Sequence, residues 1–267
     1  MIRLTDDEFK FITTFIKSNY GINLLAKRQL IESRMYNTLI EKGFTSFSQY
    51  FEIIKRKDET EISLLINKLT TNHTYFMREP QHFDYLREII LPEQLEKNKT
   101  RDMRIWSAGC SSGEEAYTTV MTIKEFLGSK ASTWDTTILA TDISTKVINA
   151  AQTKVYEEDA LKDVSAAWKT KYFTKRPDGL FDLKPEVRKE VVYKVFNLMD
   201  KIVFKKPYDL IFCRNVMIYF DQATKNALIN RFYDALTPGG YLFIGHSESV
   251  QRDTTKFKYI KPSIYQK

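Results

Sequence analysis

The chain has 267 residues, 43% of them hydrophobic and 28% charged, with a formal net charge of +7. Such a length and apolar content fit one large or two modest globular domains, and no stretch nears the roughly 18 uncharged apolar residues that membrane insertion needs. The positive balance admits an anionic partner, whether nucleic acid, a membrane surface or an acidic protein, without choosing among them.

The opening "MIRLTDDEFK" carries acids where an export signal needs an apolar segment, so a cytoplasmic protein is expected. "TDDE" at Thr5 to Glu8 is a capping box. Phe9, Ile12 and Ile16 then fall on one helical face until Gly21 breaks the pattern. A second helix is expected over 24–42, stopped by Gly43. A third carries Phe47, Tyr50, Phe51 and Ile54 at helical spacing, and a fourth covers 59–69. Strand signals are absent, so 1–70 reads as an all-helical domain, followed over 71–103 by a linker and connecting helix.

From Arg104 the grammar changes. "RIWSAG" and "TTILATD" are strands, each followed by a helical pattern; later come "YDLIFCRN", the helix "QATKNALINRFYDAL", the turn "TPGG" and the strand "YLFIGH". Alternating strands and helices predict a mostly parallel, doubly wound α/β domain over 104–267. The turn signal "PDG" lies between short polar runs, which predicts a small antiparallel β-subdomain inserted at about 171–196. "FKYIKPSIYQK" suits an edge strand, where Pro262 is tolerated.

In such a sheet, ligands sit beyond the carboxyl ends of the strands. After the first strand, "AGCSSGEEAY" offers Gly109 and Gly113 for a tight turn and close backbone approach. The loop has no Gly-Lys-Ser/Thr, and Glu114 and Glu115 occupy the positive end of the next helix, a poor place for a pyrophosphate. After the second strand, Asp142 could accept from ribose hydroxyls or cap the next helix, a role that Ser144 could take instead. A glycine loop, helix-start acids and a strand-end acid together suit S-adenosylmethionine, which carries no phosphate. Cys110 and Cys213 have no metal-type spacing and read as reduced, buried thiols. His73, His82 and His246 are scattered, so no metal site is expected.

Six segments, "TTNHTYFMRE", "WSAGCSSGEEAY", "ATDIS", the pair Asn197-Leu198, "FCRNVMIYF" and "LTPGGYLFIGHSE", occur in an order that resembles the CheR family, the chemotaxis receptor methyltransferases. The resemblance covers nearly the whole chain. It implies an S-adenosylmethionine-dependent enzyme that makes glutamate methyl esters on the cytoplasmic helical bundle of methyl-accepting chemotaxis receptors, leaving S-adenosylhomocysteine. It implies a helical domain, a Rossmann-like methyltransferase domain and a small β-subdomain. Matched position by position, the cofactor contacts would be Asn72, Thr74, Arg78, Glu115, Asp142, Asn197, Leu198, Arg214 and Asn215, with Arg78 and Tyr219 nearest the reacting carboxylate. Relatives often have proline where Ala116 stands, a change that helix geometry tolerates.

Three further expectations concern partners. Lys27 and Arg34 lie seven residues apart with Arg28 beside them, a plausible basic docking face for glutamate-rich receptor helices. The compact turn "TKRPDGLF" points to recognition that needs no receptor tail peptide. A monomer is expected. The competing readings are a nucleic-acid methyltransferase, disfavoured because basic residues are not interleaved with aromatics, and a cofactor-binding receptor adaptor without turnover.

Overall fold

The structure, a computed structural model, describes residues 2–267. Four helices come first: α1 (Asp6–Tyr20), α2 (Arg28–Glu41), α3 (Phe47–Lys55) and α4 (Glu59–Leu69). The capping box forms as the spacing predicts, the Thr5 hydroxyl accepting from the Glu8 amide and the Glu8 carboxylate from Thr5 N–H at 2.8 Å. The other Glu8 oxygen accepts from the amide of Ser48 at 2.6 Å and so ties α3 to α1. Helix α2 starts at Arg28, four residues later than expected, because 24–27 closes a turn in which Lys27 N–H donates to the Leu24 carbonyl. Lys27 is therefore the residue before the helix.

The connecting segment holds α5 (Gln81–Tyr85) and α6 (Leu91–Lys97), joined by a π-turn over Leu86–Ile90. Pro92 is its physical cause: without an N–H it leaves the i−4 carbonyl unpaired, and Leu91 N–H reaches back to Leu86 instead.

The remaining elements are β1 (Ile105–Ala108), α7 (Glu114–Leu127), β2 (Ile138–Asp142), α8 (Thr145–Thr153), β3 (Val155–Tyr156), α9 (Ala166–Tyr172), β4 (Phe173–Lys175), β5 (Phe181–Leu183), α10 (Pro185–Arg188), β6 (Val191–Val195), β7 (Tyr208–Cys213), α11 (Gln222–Ala235), β8 (Leu236–Ile244), β9 (Lys258–Lys261) and β10 (Ile264–Gln266). The main sheet runs β6-β2-β1-β7-β8-β10-β9, with the first five strands parallel and β10 antiparallel to its neighbours. The order reverses between β1 and β7, the switch point where such sheets open a crevice.

Side chains alternate along each central strand. Trp106, Ile211 and Leu242 enter one apolar core with α11 and the four N-terminal helices. Ile105, Leu210, Phe212 and Phe243 enter a second with α7 and the connecting helix. Burial on both faces explains why these strands read as continuous apolar runs.

Three expectations change. "VVYKV" is β6, a parallel edge strand of the main sheet, and the small antiparallel sheet is β3-β5-β4. Only one edge of β6 is paired, and Val192, Lys194 and Val195 lie exposed, as at the margin of a sheet. "TPGG" lies within β8 at an irregularity in the β7–β8 register, where Gly239 takes φ 79°. The C-terminal segment is a hairpin of two strands, with Pro262 in the turn between them.

Candidate active site

An open cleft with about 970 Å³ of empty space lies at the carboxyl ends of β1, β2 and β7, roofed by the 70–78 linker and the end of α1. The structure brings all of the cofactor candidates to its wall: Asn72, Thr74 and Arg78 from the linker, Glu115 from α7, Asp142 from β2, Asn197 and Leu198 after β6, and Arg214 and Asn215 after β7. Tyr219 lines the same cleft.

Gly109 follows β1 with φ 86°, and a Cβ there would lie 2.3 Å from a Val216 methyl. Gly113 starts α7 at φ 95°, and a Cβ there would meet the Tyr193 hydroxyl at 2.3 Å. Both glycines are required by left-handed backbone and close approach together. Ser144 caps α8, its hydroxyl accepting from Val147 N–H. Asp142 is released from that role and accepts instead from the amides of Ser111 at 2.9 Å and Ser144 at 3.0 Å. Burial pushes its carboxyl up, partly offset by these amides. With a third amide, that of Ile143, also bonded, the carboxylate still has lone-pair capacity for a ligand hydroxyl.

The central charge is Arg214, only 3% exposed. Its guanidinium pairs with Glu115 at 3.0 Å and Glu79 at 3.1 Å, and also donates to the Arg78 carbonyl. Burial raises the Glu115 carboxyl despite Arg214 and a 2.6 Å bond from the Ser107 hydroxyl. Burial also works against the charge on Glu79, but Arg214 and the amide of His246 outweigh it and hold that carboxyl below its usual range. The Arg78 guanidinium donates to the His73 carbonyl at 2.7 Å, and Arg214 is the cation that pairs with Glu79 and Glu115.

Sequence reasoning missed Glu79. Its only signal was its place beside Arg78 in a polar linker; in three dimensions it joins the linker to the end of β7 and to the amide after Gly245. With His82 and His246 it forms the one group among the described residues within reach of a common metal ion. The Glu79 oxygen facing His82 already receives Arg214, which puts a guanidinium where a cation would sit. Burial, with Arg214 and His246 nearby, drives the His82 pKa down to about 2, so its ring is neutral.

The helical domain completes the cleft. Asn23 N–H donates to the Tyr219 carbonyl at 2.8 Å, and the Asn197 side-chain amide donates to the Asn19 carbonyl at 2.7 Å. Of the docking residues, Arg34 is committed to the end of α4, donating to the carbonyls of Leu69 at 3.0 Å and Thr70 at 2.9 Å. Arg28 pairs with Asp6 at 2.5 Å and lies over the Phe9 ring. The basic face read from Lys27, Arg28 and Arg34 is thus partly consumed in holding the domain together. Both cysteines are buried and free.

A parallel sheet with a glycine-lined first loop, an acid at the end of the next strand and no lysine lining the cleft fits an S-adenosylmethionine-dependent methyltransferase: the acids suit ribose hydroxyls and an ammonium group and repel a pyrophosphate. Two family models match, "CheR methyltransferase, all-alpha domain" over residues 7–70 and "CheR methyltransferase, SAM binding domain" over 72–265. The chain belongs to the CheR methyltransferase family. It is 44% identical to the chemotaxis protein methyltransferase of Borreliella burgdorferi, covering 100% of this chain and 96% of the relative. It is 34% identical to that of Escherichia coli K12 (99% and 92% covered) and 31% identical to chemotaxis protein methyltransferase 1 of Pseudomonas aeruginosa (96% and 95%). Among the described residues no helix is long and apolar enough to cross a membrane.

Proposed function

We propose that this enzyme acts in the cytoplasm, as a monomer, on glutamate side chains in the helical bundle of chemoreceptors, giving methyl esters. The reading is carried by one observation: Arg78 and Tyr219 line the same cleft as the residues suited to the cofactor. The names of the relatives place such enzymes in chemotaxis.

Bound S-adenosylmethionine supplies a methyl group on a positively charged sulfur. A glutamate side chain, with a reference pKa of about 4.3, is already ionised at neutral pH, so no protein group has to remove a proton from it. The residues of the cleft therefore act by orientation. Asp142, at the end of β2, and Glu115, in the first turn of α7, offer acceptors; Arg214 pairs with Glu115 and Glu79 and fixes the end of β7. Arg78 and the Tyr219 hydroxyl hold the incoming carboxylate oxygen, and a phenol donor leaves it more nucleophilic than a tight ion pair would. Alignment of this kind can remove about 7–11 kcal/mol of a barrier.

Docking draws on Lys27 rather than on Arg34, whose guanidinium is occupied. The turn between β4 and β5 is short, closed by Gly179 N–H donating to the Arg176 carbonyl. That compactness supports recognition without a receptor tail peptide.

The decisive assay incubates the enzyme with methyl-labelled cofactor and a receptor cytoplasmic fragment, with and without the tail. Label released as volatile methanol in alkali, equally from both fragments, is expected. Alkali-stable label, or cofactor binding without transfer, overturns the reading.

A further inference from the structure

After β7 the chain turns sharply, and the amides of that turn have no strand beside them. Asn215 takes φ 59°, a left-handed conformation unusual outside glycine, and a 3₁₀ turn follows over Met217–Tyr219. A single side chain receives the exposed N–H groups. One Glu248 oxygen accepts from Asn215 N–H at 3.0 Å and Gly245 N–H at 2.6 Å; the other accepts from Ile218 N–H at 3.2 Å. Burial works against the charge on Glu248, and the surrounding amides offset part of that.

The approach depends on the residue beside it. Cys213 on β7 pairs in register with Ile244 on β8, so the two strand ends lie side by side. A Cβ on Gly245 would lie 2.6 Å from the Asn215 side-chain amide, so only glycine lets the two turns close together. The 245–248 turn is fastened by Glu248 N–H donating to the Gly245 carbonyl at 2.9 Å. A carboxylate in a nest of convergent backbone amides is a strong, directional anchor.

We propose that Glu248 is a positioning residue for methyl transfer: by binding the amides of Asn215 and Ile218 it fixes the turn that presents Tyr219 to the cleft. The helical domain holds the same turn from the other side, through Asn23 N–H and the Tyr219 carbonyl. The turn that carries Tyr219 is thus gripped by two elements distant in sequence, neither of which engages its hydroxyl. The role of Glu248 rests on the reading that Tyr219 contacts the reacting carboxylate.

The test is a double-mutant cycle of Glu248→Gln and Tyr219→Phe, with turnover measured on a receptor fragment and cofactor affinity by calorimetry. Glutamine keeps the shape but offers one acceptor oxygen where the turn needs two. Glu248→Gln is expected to lower kcat by about ten- to a hundredfold, a loss larger than that in cofactor affinity. In the Tyr219→Phe background it should cost less than about twofold more. Multiplicative losses, or an impaired Tyr219→Phe beside an unimpaired Glu248→Gln, overturn the assignment alone. A fully active Tyr219→Phe overturns the reading beneath it, and the assignment with it. Should Glu248→Gln fail to fold, amide exchange in the unaltered protein decides: protection at Asn215 and Ile218 supports the anchor, and exchange at the free-chain rate overturns it.

Discussion

Glu114 and Glu115 are adjacent acids with different surroundings. Glu115 meets Arg214 and Ser107. Glu114 is only 4% exposed and meets no cation: its own backbone amide and the Ser112 hydroxyl, which donates to its carboxylate at 2.8 Å, support it. Burial raises its pKa from 4.5 to about 7, partly offset by that amide and that hydroxyl. A carboxyl that binds its proton more tightly when folded adds stability below its unfolded pKa, and that contribution fades as pH rises towards the folded value. The window here is pH 4.5 to about 7. Glu114→Gln is therefore expected to be more stable than the unaltered chain at pH 8, by about 1–3 kcal/mol, with the difference closing towards pH 5. Urea unfolding at several pH values measures it, and a difference independent of pH would contradict the account. That Glu114 is buried without a cation while Glu115 faces a guanidinium was not legible in "GEEAY". Helix periodicity turns neighbours apart by about 100°, but what each meets depends on β7, some hundred residues later. Glu79 escaped for a related reason: a linker acid has no periodic pattern, and its partners lie at the ends of β7 and β8.

At the scale of elements, the loop between β1 and α7 depends on backbone that only glycine adopts cheaply. Gly109 and Gly43 make a controlled pair. Both are left-handed, at φ 86° and φ 75°, but a Cβ on Gly109 meets Val216 whereas one on Gly43 meets nothing within 4 Å. Gly43→Ala should cost about 1 kcal/mol of stability, the strain alone. Gly109→Ala should cost about 2–4 kcal/mol and weaken cofactor binding at least tenfold, because Val216 belongs to the cleft wall. Thermal unfolding and calorimetry read both, and equal costs at the two sites would contradict the close-approach argument. The parallel strands were legible because burial on both faces leaves an apolar run that stops where the polar crevice begins: "DLIFC" before Arg214, "ILAT" before Asp142. Strand β6 was assigned to the wrong sheet because it follows β4 and β5 closely in the chain and only one of its edges is paired. Strand β3, two residues long, carries too little pattern to be read at all. The capping role of Arg34 spans some 35 residues of chain and leaves no local trace, so its charge looked available for docking.

At the scale of the whole molecule, the cleft exists because two units meet. The helical units supply its roof and the carbonyl contact that holds Tyr219; the sheet supplies its floor at the switch point between β1 and β7. The contacts across the seam include a hydrogen bond from the Ser144 hydroxyl to the Asn67 side chain at 2.7 Å, so the cap of α8 is itself fastened to α4. Motif order along the chain made this arrangement legible as a family resemblance, but the pairing of units came only with the fold. The central claim is that the methyl donor lies in this seam, between Asp142 and Tyr219. A crystal structure with bound S-adenosylhomocysteine tests it most directly. The account predicts the nucleoside within hydrogen-bond reach of Asp142 and the sulfur turned towards Tyr219 and Arg78; a nucleoside lodged outside the cleft, or a sulfur facing away from Tyr219, would contradict it.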